Sequence, residues 1–344
     1  MTKPIGILYE HPEWFTPLFT ELDRRGLPYE RILAHEHSFD PDSSACPYSL
    51  VVNRVSPSSY LRNHTSAIFY THQYLAHLDK LVVPVVNGSA AYALETSKAR
   101  QLSLLSALGV AHPRSVIVNS LNQILPAAAR LEYPVIVKPN IGGSGALMQR
   151  FYSTSELQAA FDSGQLNGVL GLDYTAIVQE YHEPKGGAIV RVEALDGRFL
   201  YAIRIHSDPG SGFNLCPADI CQIDDAPTVD TLVTADAVLD FCPVDAPTKK
   251  ALKIEVAEPP SWVVDEALRV FEAGNIDVGG VEYLESKRDG GIYIYDINSL
   301  SNFVTDAPNL VGFDPFERFV DYLEKQLRRP EQSRHEHINT GVQL

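Results

Sequence analysis

The 344-residue chain holds three stretches whose side chains suit chemistry on phosphates. The first is GGIYIYDINSLSNF, residues 290–303. Its β-branched and aromatic residues, Ile292 to Tyr295, follow a Gly pair and predict a strand. Asp296 and Asn298 are poor strand formers two positions apart, so they share a face. Glu282, in GVEYLES, sits on the incoming strand of the same hairpin. A loop of odd length, such as Arg288–Gly290 or Lys287–Gly291, sets Glu282 opposite Asp296, and an even loop turns it to the other face. In the odd register two carboxylates and an amide oxygen gather. That donor set suits Mg²⁺, a hard cation that takes a few protein oxygens plus substrate phosphates. In the even register the hairpin is a solvated acidic one.

The second stretch, IVKPNIGGSG, puts Lys138 near a strand end and a Gly/Ser loop just beyond. Glycines let backbone N–H groups turn onto an anion, and Ser144 adds a hydroxyl donor. Neither GxxxxGK[ST] nor GxGxxG occurs here. A strand follows the loop, so it joins two antiparallel strands, as a phosphate-binding loop or as a plain hairpin turn. The third stretch, IVRVEALDGRFLYAIRIH, predicts a hairpin with a two-residue Asp196–Gly197 turn pairing 195 with 198. In that register Arg191 faces Ala202 and shares a face with Arg204. Two guanidinium groups on one face call for an anion between them, or for a solvated face on which Glu193 pairs with one of them.

The elements that must carry these residues alternate strand and helix at first. IGILYE (5–10), YERILA and YSLVVNRV read as strands, PEWFTPLFTELDRRG (12–26) as an amphipathic helix, and LVVPVVNG (81–88) closes a parallel α/β unit at 1–92. A helix at 95–109 capped by Thr96, another near 120–131, the strands 134–139 and 146–153, and a capping box from Ser153 to Glu156 make up a region 93–178. The strand 175–182, the two hairpins, an irregular stretch at 207–260, and helices at 262–275 and 316–329 make up 179–330, with a polar tail at 331–344. The fold class is α/β plus α+β.

Composition bounds the function. The 28 basic and 43 acidic residues give a net charge of −15, which argues against a nucleic-acid partner. No segment approaches about 18 consecutive apolar residues, so no membrane span is expected. The N-terminal stretch has no signal-like apolar run, and the cytoplasm is the expected compartment. Cys46, Cys216, Cys221 and Cys242 are too sparse for a disulfide scaffold and match no common zinc spacing, so they read as buried or idle thiols.

Five motifs stand in an order that resembles the ATP-grasp superfamily, closest to its ribosomal-protein-modifying glutamate ligase and glutathione-synthetase-like branches. They are NGSAAYALETSKARQLSLLSALGVAHP, PVIVKPNIGGSGALM, IVQEYHEPKGGAIVRVEALDG, YAIRI with FN, and GVEYLES with YIYDINSLSNF, over 85–330. LVVNRVSP looks like the pre-ATP-grasp domain of that branch. The resemblance implies ATP bound between two α+β subdomains. It places Lys98 and Lys138 on nucleotide phosphates, with Gly142, Gly143, Ser144 and Gly145 as a flap over them. Gln179, Glu180 and Tyr181 line the adenine pocket and Glu183 reaches the ribose. Arg191 and Arg204 hold the γ-phosphate and an acyl phosphate, while Arg204 and Asn214 face the substrate. Glu282, Asp296 and Asn298 ligate two Mg²⁺ ions.

The reaction so implied activates a carboxylate with ATP and joins it to an amine, with small molecules or a peptide as substrates and a homodimer as a possible state. A kinase with a hydroxyl acceptor and a non-catalytic nucleotide-binding module are the alternatives. The chain departs from the pattern at Ser97, where an Asp is usual, and at Ile189, which leaves Arg191 without the usual carboxylate two residues before it. An insert of roughly 30 residues lies between Asn214 and Gly279, bordering the acceptor side.

Overall fold

The structure is a computed structural model. It describes residues 3–11, 13–143, 145–206 and 253–328. Ser144, Asn214, the three cysteines beyond Cys46 and the tail at 331–344 lie outside the described residues.

The first sheet is parallel. β1 (Ile5–Tyr9) pairs with β2 (Tyr29–Leu33) and β3 (Leu50–Arg54), and β3 pairs with β4 (Val85–Val86). β1 and β3 are buried at every position, as continuous apolar runs in a two-faced parallel sheet should be. Helix α1 (Thr16–Arg24) follows β1, and α2 (Thr65–Lys80) follows β3. Helix α2 has no clear signature in the sequence. Its buried stripe contains Thr71 and His77, so polar residues interrupt the apolar period.

The helix expected at 95–109 forms over a shorter span, as α4 (Lys98–Ala107), and a short additional helix, α3 (Ser89–Glu95), precedes it. The cap of α4 is Ser97, whose Oγ accepts from Arg100 N at 3.3 Å. Thr96 instead donates to Tyr92 O at 2.9 Å, closing α3. Ser97 therefore has a local role that an Asp there would also fill.

The second sheet, in order β5-β8-β6-β7, is antiparallel. Its members are β5 (Ser115–Val118), β6 (Val135–Pro139), β7 (Gln149–Phe151) and β8 (Ala176–Glu180), with α5 (Ile124–Ala128) and α6 (Thr154–Asp162) on its core face. Ser153 Oγ accepts from Glu156 N while Glu156 accepts from Tyr152 N, which holds the start of α6. β8 runs across residue 178 and belongs to this sheet by its hydrogen bonds.

The third sheet, β11-β10-β9-β12-β13, is antiparallel. It contains β9 (Ala188–Leu195), β10 (Arg198–His206), β11 (Lys253–Val256), β12 (Val278–Glu285) and β13 (Ile292–Asn298). The edge strand β11 falls in a stretch expected to be irregular. With four residues, two of them charged, it carries little strand signal of its own. Helix α7 (Ser261–Ala273) covers one face through Val263, Ala267, Val270 and Phe271. The other face shares a core with β1, α1 and α9 (Pro315–Arg328), beyond the short α8 (Ala307–Val311).

Two β-bulges set the registers. In the β9–β10 hairpin Leu195 faces Arg198 as expected, but Leu200 is an extra residue, and from there Arg191 faces Ile203 and Arg204 faces Val190. Arg191 and Arg204 therefore lie on opposite faces, which corrects the expectation that they project together. In the β12–β13 hairpin Glu285 faces Ile292, leaving six loop residues, an even number. By loop parity alone Glu282 would turn away from Asp296. Tyr295 is the extra residue that restores the pairing, and Glu282 faces Asp296.

Candidate active site

One face of the third sheet collects the polar side chains. Register places Arg191 beside Glu282, Glu193 beside Gly280, and Gly280 beside Asn298. Glycine is needed at 280: a Cβ there would lie 2.5 Å from Arg191 Nε. With that space clear, Arg191 lies flat over the strand. Its Nε donates to Glu193 Oε1 at 2.6 Å and its Nη1 to Glu282 Oε1 at 3.0 Å. Arg191 thus has carboxylate partners at i+2 and across the ladder, although Ile189 offers none.

Glu282 also accepts from Tyr295 Oη at 2.8 Å. Burial pushes its carboxyl above the usual range; Arg191 opposes that shift and the Asp296 charge adds to it. Asp296 binds Lys98 Nζ at 2.5 Å. Burial alone would lower the Lys98 ammonium, but Asp296 outweighs it and leaves the pKa raised. Asn298 has its side-chain nitrogen buried without a hydrogen-bond partner. Turned over, that amide would present its oxygen where the nitrogen now lies, on the face that carries Asp296.

Glu282, Asp296 and Asn298 are therefore one donor set of oxygens. Two neighbouring carboxylates, one of them with a raised pKa, and an unsatisfied amide fit a hard divalent cation. Among the described residues no group of three His, Cys, Asp or Glu side chains could hold a metal, so any ion here rests on two carboxylates and the amide.

Lys138 comes from the second sheet. Its Nζ donates to Gln179 Oε1 at 2.9 Å, and Gln179 Nε2 donates to Ser115 Oγ. Burial, and then the Lys98 charge, push its pKa down to about 7. The loop beyond it joins β6 and β7, as expected. Gly143 packs on the N-terminal region so closely that a Cβ would lie 2.5 Å from Ser58 Cβ. Gly142 has room, and Gly145 has a φ of +71°.

The remaining candidates are spread around this centre. Gln179 turns its side chain to Lys138. Glu180 Oε1 accepts from Glu132 N, and Tyr181 N donates to Pro134 O. The Arg150 guanidinium lies 4.8 Å from the Tyr181 ring centroid. Glu183 is exposed and binds Lys287 Nζ at 2.9 Å. Arg204 is on the other sheet face, 3.7 Å from Glu255 and 43% exposed.

The sequence showed Glu193 only as one partner on a solvated face; it is fully buried. It gave no sign of Ser301, whose Oγ donates to Glu193 Oε1 at 2.9 Å. Glu95 also went unnoticed. Its Oε2 accepts from Ser299 N and Leu300 N just after Asn298, and burial pushes its carboxyl up to about 7 against those bonds.

No family model matches the chain. Over 142 residues, 40% of its length, the chain is 28% identical to a probable alpha-L-glutamate ligase of Teredinibacter turnerae, and the match spans 45% of that protein. Over 85 residues, 24% of its length, it is 36% identical to D-alanine--D-alanine ligase B of Pseudomonas putida, spanning 27% of that protein. The chain thus spans less than half the length of these curated relatives. A solved structure of the ATP-grasp ligase PsnB, complexed with minimal precursor, Mg and ADP, superposes with a TM-score of 0.63 at 17% identity, covering 95% of this chain and 99% of that one.

Proposed function

The chain has the ATP-grasp fold, and on that premise we propose that it is an ATP-dependent carboxylate–amine ligase. The observation that carries this reading is the convergence of Lys98, Arg191, Glu282, Asp296 and Asn298 on one sheet face, with Lys138 and a Gly-rich loop supplied by the neighbouring sheet. Cations for phosphates and oxygens for a metal then meet at one place.

On this reading a carboxylate oxygen of the acid attacks the γ-phosphorus of ATP, and ADP leaves. The amine then attacks the acyl carbon of the acyl phosphate, the C–O bond to phosphate breaks, and the amine proton passes to water. Lys98 and Lys138 hold phosphate oxygens, and Gly142 to Gly145 cover them. Gln179, Glu180, Tyr181 and Glu183 flank the base and ribose. Arg191 takes the transferred phosphoryl group. Glu282, Asp296 and Asn298 would hold Mg²⁺, which when bound supplies neutralisation of phosphate charge. The protein's own contribution is to fix the donors before the substrate arrives. The divisions near 92 and 178, a cytoplasmic setting and a homodimer belong to the same proposal.

The test follows ADP and free phosphate with ATP, Mg²⁺ and a panel of amino acids and short peptides. Phosphate release that needs both an acid and an amine supports the ligase. ADP without free phosphate identifies a kinase, and tight ATP binding without turnover a regulatory module. No helix among the described residues is long and apolar enough to cross a membrane.

A further inference from the structure

Arg54 closes β3, a charged residue at the end of a run buried at every position. It is 1% exposed and lies between two rings, its guanidinium carbon 5.2 Å from the centroid of Phe15 and 5.4 Å from that of Phe319. Its Nη2 donates to the carbonyl of Ser301. Its Nε and Nη1 are buried with no hydrogen-bond partner. A buried guanidinium with unmet donors is costly, and a clamp selected for stability alone would satisfy them.

The counter-charge sits one residue away in the network. Glu193 is 0% exposed, and its Oε2 is also buried without a partner. Its Oε1 accepts from Arg191 Nε at 2.6 Å and from Ser301 Oγ at 2.9 Å. Ser301 thus takes Arg54 on its carbonyl and gives its hydroxyl to Glu193. Arg191 in turn faces two carboxylates, Glu193 and Glu282, with one positive charge. Left alone, those carboxylates would more than cancel it and present a negative face to a nucleotide. Burial lowers the Arg54 pKa to about 10, with Glu193 first among the charges that hold it up, so Arg54 stays charged at neutral pH and the two groups feel each other.

We propose that Arg54 is a positioning residue for the nucleotide site: it balances Glu193 and, through Ser301, fixes the carboxylate that aims Arg191, so that the charge of Arg191 serves a phosphate. This rests on the ligase reading of the site. Arg54 touches no substrate itself, and its effect runs through Glu193.

The test measures Mg·ATP binding to the full chain by calorimetry, without acid or amine, beside a thermal melt. Arg54→Met packs well between two phenyl rings, so a merely structural Arg54 would alter the melt and leave ATP binding as it was. The proposal expects Arg54→Met to weaken ATP binding about tenfold or more, the equivalent of about 1.4 kcal/mol. It expects Arg54→Met/Glu193→Gln to recover to within about threefold of wild type, because both charges are gone. An Arg54→Met protein that binds ATP like wild type overturns the proposal. Should Arg54→Met fail to fold, Glu193→Gln and the double variant decide. Equal affinities support a route through Glu193, and a double variant about tenfold weaker than Glu193→Gln overturns it. A wild-type protein that binds no ATP overturns the ligase reading itself, a result distinct from a bound nucleotide indifferent to Arg54.

Discussion

Glu282 faces Asp296 across the β12–β13 ladder because Tyr295 is an extra residue in its strand. The six-residue loop alone would have sent the two carboxylates to opposite faces. The bulge also lets the Tyr295 hydroxyl return to Glu282, so the residue that sets the register also bonds one of the carboxylates it brings together. Asp296→Ala should lower turnover at least about a hundredfold, the scale of losing one preorganised electrostatic partner. Its pair with Lys98 is largely buried, but Glu282 and Glu95 also hold the Lys98 charge and remain when Asp296 is gone, so the melting temperature should move little. ADP release and a thermal melt on the same preparation check both halves; near-normal turnover would remove Asp296 from the site.

Lys138 predicts a pH dependence. Its native pKa of about 7 lies below the roughly 10.4 of an unfolded lysine. Between those values the unfolded chain binds a proton that the folded chain does not, so Lys138 makes stability rise with pH across that window. Phosphate oxygens favour the charged amine, so ATP binding at about pH 8.5 should take up close to one proton. Calorimetry in two buffers of different ionisation enthalpy measures this uptake. Lys138→Met should abolish it, and a wild-type value of zero would contradict the lowered pKa.

Gly143 and Gly142 should answer differently to the same change. A Cβ at 143 lies 2.5 Å from Ser58 Cβ, whereas one at 142 meets nothing closer than Pro139 Cγ at 3.5 Å. Overpacking of that kind costs about 1–3 kcal/mol. Gly143→Ala should therefore raise KM for ATP about tenfold, while Gly142→Ala stays close to wild type. Steady-state kinetics on the pair would reveal equal effects if the loop were not seated on the N-terminal region.

The two arginines should also separate. Arg191 is buried and held by Glu193 and Glu282, and its loss takes from two buried carboxylates the cation they share, a defect of about 3–5 kcal/mol. Arg204 is 43% exposed beside Glu255. Arg191→Ala should cost both stability and turnover, and Arg204→Ala much less of each. A melt and an ADP assay compare them, and equal losses of turnover would return Arg204 to the reacting centre.

The strands were the legible part of this chain. IGILY, VIVKP and IYIYDIN declare themselves by composition, and the order of motifs from Lys98 to Asn298 pointed to the fold. Bulges were not legible, because one extra residue leaves no compositional trace. Parity reasoning therefore failed at Leu200, and at Tyr295 it reached the right pairing from the wrong loop length. Helix α2 hid because a buried Thr and His break its apolar stripe. Glu193 and Ser301 became visible only when β9 and the segment after β13 met in space. Arg54 did carry a signal, a lone charge closing the apolar run LVVNR, whose meaning depended on residues nearly 140 and 250 positions later.

Helix α9 carries a consequence for how the molecule is made. Phe319, Val320 and Leu323 share one core with Ile5, Ile7, Phe15 and Leu18, and Arg25 reaches across to Asp321. The apolar surface of β1 and α1 on this side is therefore fully covered only once residues 315–328 are in place. Contacts of such long sequence separation slow folding and leave early segments exposed meanwhile. For this chain, one face of the N-terminal sheet can pack locally against α2, while the other is completed by a helix about 300 residues further on.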